Sequence, residues 1–192
     1  MSSPARPQTI RDSRILAAMA HPVRRRLLDV LRAYGPSTVT HMAERTSQAS
    51  GNVSHHLRLL AASGLVLEAP ELSRDRRERW WRLAPIALRW SAADLEDDPV
   101  AYPVALAAES LNLDRQVELV RSWLTSSGNE RSRWGDGPFS VDSWLRLTPN
   151  ELAELGEQIT NLIAQWQQRT ATSTDGERQT VFFFARGVPG QP

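Results

Sequence analysis

A chain of 192 residues without a single cysteine admits no disulfide, no thiolate metal site and no thiol redox switch. No apolar run approaches the roughly 18 residues of a membrane span, and Met1–Arg6 has no signal-peptide core behind it, so a cytoplasmic protein of one domain or two small ones is expected. The net charge of +1 conceals an asymmetry: residues 1–90 hold 15 Arg against 7 Asp and Glu, whereas residues 91–192 hold 8 against 15. The first half is therefore drawn to polyanions and the second repelled by them. All 23 basic residues are arginine, a planar fork suited to phosphate or guanine.

In chain order, Ile15, Leu16, Met19 and Ala20 predict a first helix within Arg11–Met19. His21-Pro22 restarts the chain, because proline suits the first helical turn. Val23, Leu27, Val30, Leu31 and Tyr34 then form one amphipathic stripe, which Gly35-Pro36 stops. A short extended piece, Ser37–Val39, precedes a short helix around Thr40–Thr46 with Met42 and Ala43 inward. Ser47–Ser50 reads as a turn. The next helix runs from Ser50 to Ser63, with Gly64 suited to a left-handed cap.

On that helix, at roughly 100° per residue, Val53, Leu57 and Leu60 share the inner edge. Gly51, Ser54, His55, Arg58 and Ala62 face outward. His56 falls on the flank nearer the core, where a structural role is expected. A short strand (Leu65–Leu67), an arginine-rich tip (Arg74, Arg76, Arg77, Arg79) and a return strand (Trp80–Leu83) follow, with Pro85 ending the hairpin. A helix with one polar edge fits a major groove about 12 Å wide, and a cationic hairpin beside it reaches phosphates. Ser50, Gly51, Asn52, Ser54 and His55 are thus the candidates nearest the bases. Arg58 and the four tip arginines are the candidates for the backbone. A solvated hairpin tip, with Asp75 and Glu78 pairing the arginines, is the competing reading. Alternation sends one of Trp80 and Trp81 into the core.

Beyond Pro85, Ala87–Ala93 reads as helical, Leu95–Pro99 as an acidic linker and residues 100–126 as one long helix. Ser126–Pro138 reads as a loop. Val141–Leu147 alternates like a strand, and Thr148-Pro149-Asn150-Glu151 is a capping box. It opens a helix with Leu152, Leu155, Ile159, Leu162, Ile163 and Trp166 on one face. Val181–Ala185 reads as an apolar strand, completing a strand–helix–strand unit. The aromatic residues of this tail suit either a small-molecule effector pocket or a dimer brace.

Ala18–Leu28 and Val53–Val66, in that order, resemble the opening and reading-helix motifs of the ArsR class of winged helix-turn-helix regulators. With the hairpin, the resemblance covers residues 12–84. It implies a homodimeric repressor on a palindromic operator, with half-sites about one helical turn apart or a multiple of that. It also implies dimer contacts from the first helix and the long helix 100–126. Where metal-sensing members carry Cys-x-Cys-Asp, this chain has Thr38-Val39-Thr40-His41, and no His follows His56, so no metal site and no cofactor are expected. Ala49 replaces the usual N-cap serine, so Ser47 or Ser50 is expected to cap instead.

No nucleophile–base pair, phosphate loop or carboxylate pair with a partner base is present, so catalysis is not expected. The resulting expectation is a mainly α (α+β) fold in three parts. Residues 1–90 form a winged helix-turn-helix domain, 91–138 an acidic linker and connecting helix, and 139–192 a small C-terminal unit. The expected partners are double-stranded DNA, a second copy of the chain and an unidentified effector, with no membrane. The alternative is a winged-helix interaction module, or a protein binding DNA without sequence preference.

Overall fold

Residues 8–9, 13–75, 78–85, 88–89, 92–172 and 178–191 are described by a computed structural model. The chain divides into two units, Met1–Glu118 and Leu119–Pro192.

In the first unit, helix α1 (Ser13–Met19) and α2 (Pro22–Tyr34) meet at His21, with Pro22 in the first turn of α2 as expected. The Arg24 guanidinium donates to the carbonyls of Ala18 at 2.6 Å and Ala17 at 2.7 Å, which closes the last turn of α1. Gly35 ends α2 at φ 75°, its amide donating to the Leu31 carbonyl. Helix α3 (Val39–Thr46) is capped by Thr38, whose hydroxyl accepts from the His41 amide at 3.2 Å. The buried Thr46 hydroxyl donates to the Met42 carbonyl at 2.7 Å, so it enters the core with its polar atom satisfied.

Helix α4 (Ser50–Ala62) ends in a Schellman turn. The Leu65 amide donates to the Leu60 carbonyl, the Gly64 amide to the Ala61 carbonyl, and Gly64 takes φ 69°. That turn feeds β3 (Val66–Glu68), which pairs antiparallel with β4 (Trp80–Leu83). The other edge of β4 pairs with β2 (Ser37–Thr38), giving the order β2-β4-β3. The hairpin therefore returns through the middle of the sheet, and Trp81 enters the core there at 3% exposure. Around it pack Leu16, Leu27, Leu28, Leu31, Met42, Val53, Leu57, Leu60 and Val66. Of the stripe read on α2, Tyr34 is a correction: it is exposed, with Arg45 stacked 4.0 Å over its ring.

The stretch after Pro85 differs from the helix expected over Ala87–Ala93. Leu88–Arg89 forms β5, parallel to β1 (Gln8–Thr9), and a 3-10 turn follows at Ala92–Leu95. The remaining residues of that expected helix, 87, 90 and 91, lie outside the description. A two-residue parallel bridge has no local sequence signal, because its partner comes from the far end of the domain. The acidic stretch is anchored, with Leu95 in the core and the Asp98 carboxylate accepting the Val100 and Ala101 amides at 2.9 Å each. It caps α5 (Ala101–Leu124), the long helix expected over 100–126. Ala101, Ala105 and Ala108 are the buried face of α5, small enough for close helix approach. Arg115 pairs with Asp29 on α2 at 3.0 Å, and Arg25 donates to Asn112 at 2.7 Å. Arg25 is half-buried, and its pKa falls to about 10, mainly through loss of water.

In the second unit, Ser126–Pro138 is not simply a loop. Ser127 caps a short helix, α6 (Gly128–Trp134), which Gly135 ends at φ 51°. The capping box forms as read: the Thr148 amide and hydroxyl donate to the Glu151 carboxylate, and the Glu151 amide donates back to the Thr148 hydroxyl. These bonds hold the Glu151 carboxyl below its ordinary pKa. They start α7 (Pro149–Thr172), on which Leu152, Leu155, Ile159 and Ile163 are half-buried while Leu162 and Trp166 are exposed. The expected strand–helix–strand unit is corrected. Neither 141–147 nor 181–185 belongs to a sheet among the described residues. Both lack regular secondary structure, and a segment becomes a strand only when a second edge is in register beside it.

Candidate nucleic-acid interface

The two faces of α4 separate sharply. Val53, Leu57 and Leu60 are at 0% exposure, whereas Ser50, Gly51, Asn52, His55, Arg58 and Ala62 are exposed. Ser54 is half-buried because it lines a cleft. Val39 at the start of α3, Ser54 and Arg58 on α4, and Arg79 and Trp81 on the hairpin share its inner wall. It opens into a concavity of about 650 Å³ bordered by Thr38, Thr40, His41, Glu44, Ser54, Glu78 and Arg79. Among the residues read from sequence, Ser54, Arg58 and Arg79 are thus brought together on one side of α4.

The expected rescue of the α4 cap does not occur. Ala49 remains at the N-cap with no side-chain bond, and neither Ser47 nor Ser50 replaces it. Ser47 instead adopts the left-handed conformation that ends α3 (φ 54°). Asn52 donates to the Gln48 side chain at 2.7 Å across this turn. The first amides of α4 therefore have no side-chain acceptor at the cap.

On the hairpin, the Ser73 hydroxyl donates to the carbonyls of Asp75 and Glu78. Arg74 is exposed, while Arg76 and Arg77 lie outside the described residues. Arg79 stands 3.8 Å from Glu68, and Arg82 pairs with Glu71. The acids of these two pairs, Glu68 and Glu71, are not the Asp75 and Glu78 of the competing reading. These pairs are solvent-exposed, so they hold their arginines only weakly and can exchange a carboxylate for a phosphate.

His55 and His56 occupy different environments. His55 is exposed on the outer face of α4. His56 is buried, its ring 4.6 Å from that of His21. The Nδ1 atoms of both rings are buried without a hydrogen-bond partner. Burial pushes the pKa of each below the ordinary histidine value, and Arg24 adds to the effect at both. His21 and His55 lower His56 further. The partnership of His21 with His56 is the main feature that sequence reading missed; 35 positions separate the two, and no periodicity connects them.

The linkage has a definite sign. Below about pH 6.5 the unfolded chain protonates both histidines while the folded one resists, so stability falls as pH drops through that value. Urea unfolding followed at pH 7.5 and pH 5.5 is expected to show a lower midpoint at the acid pH, with the drop reduced in His56→Phe. An equal drop in both proteins would refute the assignment.

Among the described residues, no group of three or more His, Asp or Glu is placed to hold a metal ion. His41, at the position of the family's cysteine motif, lies within 3.3 Å of the Ser37 hydroxyl and accepts from Arg45 at 3.1 Å. No described helix is long and apolar enough to cross a membrane.

Three helices and a three-stranded sheet, with α4 presenting a polar face beside a hairpin, define a winged helix-turn-helix domain. Residues 19–69 match the family described as a helix-turn-helix domain. Over its first half the chain resembles ArsR-family transcriptional regulators. It is 26% identical to the homodimeric winged helix-turn-helix DNA-binding domain (fragment 1–100) of Mb0332 from Mycobacterium bovis, a possible ArsR-family transcriptional regulator. That match covers 55% of this chain and 81% of the other, with a TM-score of 0.34. A possible transcriptional regulator for arsenical resistance is 30% identical, with 54% and 93% covered and a TM-score of 0.32. An ArsR family transcriptional regulator is 24% identical, with 59% and 91% covered and a TM-score of 0.32. No curated protein matches the chain.

Proposed function

We propose that the protein is a sequence-specific DNA-binding transcriptional regulator, a homodimeric repressor without catalytic activity. The observation that carries this reading is the exposed face of α4, set beside a cleft that Arg58 and Arg79 share with Ser54. In this reading α4 enters the major groove, where Ser50, Gly51, Asn52, Ser54 and His55 meet base edges. Arg58, Arg74 and Arg79, with Arg76 and Arg77, hold phosphates on either side.

Two copies place two α4 helices on a palindrome, each half-site read by one head. The similarity to a homodimeric DNA-binding domain supports a dimer. So do Leu106 and Leu113 on α5, exposed at 44% and 39% and seven residues apart on a face turned roughly 120° from the buried alanines.

Competition binding tests the specific reading. At about 0.15 M salt, random duplex is expected to compete at least about a thousandfold less well than DNA from upstream of the protein's own gene. Equal competition would leave a binder without sequence preference, the alternative reading.

A further inference from the structure

The cleft beside α4 carries more chemistry than a row of backbone phosphates uses. Val39, Ser54, Arg58, Arg79 and Trp81 enclose about 100 Å³ on its inner side. That is room for about three waters, or for a single carboxylate or phosphate group. Two guanidinium groups, a hydroxyl and an indole N–H belong to that wall, and no carboxylate does.

These donors are available. Trp81 is 3% exposed, and its indole Nε1 is buried without a hydrogen-bond partner. A buried donor left unmet is uncommon in folded chains and calls for an acceptor. Among the described residues, the Arg58 guanidinium and the Ser54 hydroxyl have no hydrogen-bond or ion-pair partner. Arg79 has only its exposed approach to Glu68, at 3.8 Å. An oxyanion meets all of these groups at once, with charge-assisted bonds from the two arginines.

The mouth has the opposite character. Where the cleft widens, Glu44 and Glu78 border it together with Thr38, Thr40 and His41. An oxyanion can come from the DNA backbone or from a free acid. A polyanion filling the whole concavity meets those two carboxylates, whereas a ligand with one negative charge set inward avoids them. Val39 and Trp81 offer apolar surface beside the donors, which suits a body without charge.

We propose that this cleft binds the anionic head of a small monocarboxylic acid with an apolar body, and that the bound acid takes Arg58 and Arg79 away from DNA. Acid and duplex then exclude each other, so the acid favours the DNA-free state. The release step rests on the DNA-binding reading, whereas the acid site does not.

Benzoate, added to the full chain without DNA, is the first probe. Exchanging chloride for benzoate at constant ionic strength should move the Trp81 indole N–H resonance along a saturable curve, half complete in the millimolar range. Arg58→Gln and Arg79→Gln should each raise that half-point about fivefold or more. Both arginines are exposed, so neither variant is expected to disturb the fold. If a variant fails to fold, the unaltered chain decides, with its remaining tryptophans as the internal control. A Trp81 resonance that stays still, or moves no more than those of the other tryptophans, would overturn the proposal. So would equal titration curves in the unaltered chain and both folded variants. The second arm adds DNA from upstream of the protein's own gene. At about ten times the half-saturating benzoate, affinity for that duplex should fall about tenfold. Unchanged affinity with benzoate bound would overturn the release step. A chain that takes benzoate but no duplex would sink the DNA-binding reading and leave the acid site standing.

Discussion

At about 0.1 M salt, protein in which Arg58 and Arg79 are both alanine will bind its DNA about tenfold to a hundredfold more weakly, with a log–log salt slope shallower by about 1.8. The number follows from the proposed reading, in which the two arginines make two phosphate contacts, each releasing about 0.9 counterion. Both guanidinium groups reach the cleft beside Ser54, one from α4 and one from the hairpin. Arg79 has only an exposed pairing with Glu68 to lose, so folding will be nearly unaffected. Because phosphates carry no base identity, the weakening should be uniform across operator variants. His55→Ala should do the opposite, reducing discrimination between sequences more than affinity for random duplex. Titration at four salt concentrations checks the slope; an unchanged slope would remove both arginines from the interface.

Leu57→Ala will cost the first unit about 2–5 kcal/mol of stability, whereas Arg58→Ala, one residue along the same helix, will change it by no more than about 0.5 kcal/mol. Leu57 is at 0% exposure, inside a core that Val53 and Leu60 share with Leu27, Leu28, Met42 and Trp81. Removing three carbons leaves a cavity that helices on several sides cannot all close. Urea denaturation of the two variants measures the contrast directly. Equal midpoints would mean that the inner face of α4 does not bear on the fold.

The contrast between Leu57 and Arg58 was legible in the sequence, because a helix of fixed pitch separates its faces once one buried residue is known. His56 on the flank was legible for the same reason. Its partner was not: His21 comes from the N-cap of α2, and only the packing of α2 against α4 brings the rings to 4.6 Å. Tyr34 followed the periodicity of α2 and still lies outside, because the last turn runs past the edge of the core. The uncapped start of α4 shows the converse, since hydroxyls near a helix start do not cap it unless the backbone aims them there. At Ser47 the left-handed turn does not.

The main helices of the first unit, the capping box at Thr148 and the glycine stops at Gly35 and Gly64 could be read before any fold existed. Their hydrogen bonds close within a few residues, so neighbours in sequence are the partners. Strand edges and shared clefts obey no such local rule. β4 lies between β2 and β3, β5 finds β1 from the other end of its domain, and 141–147 and 181–185 join no described sheet, because a strand's partner is chosen by three-dimensional packing. The same packing, rather than any motif, set Arg79 of the hairpin beside Ser54 and Arg58 of the helix.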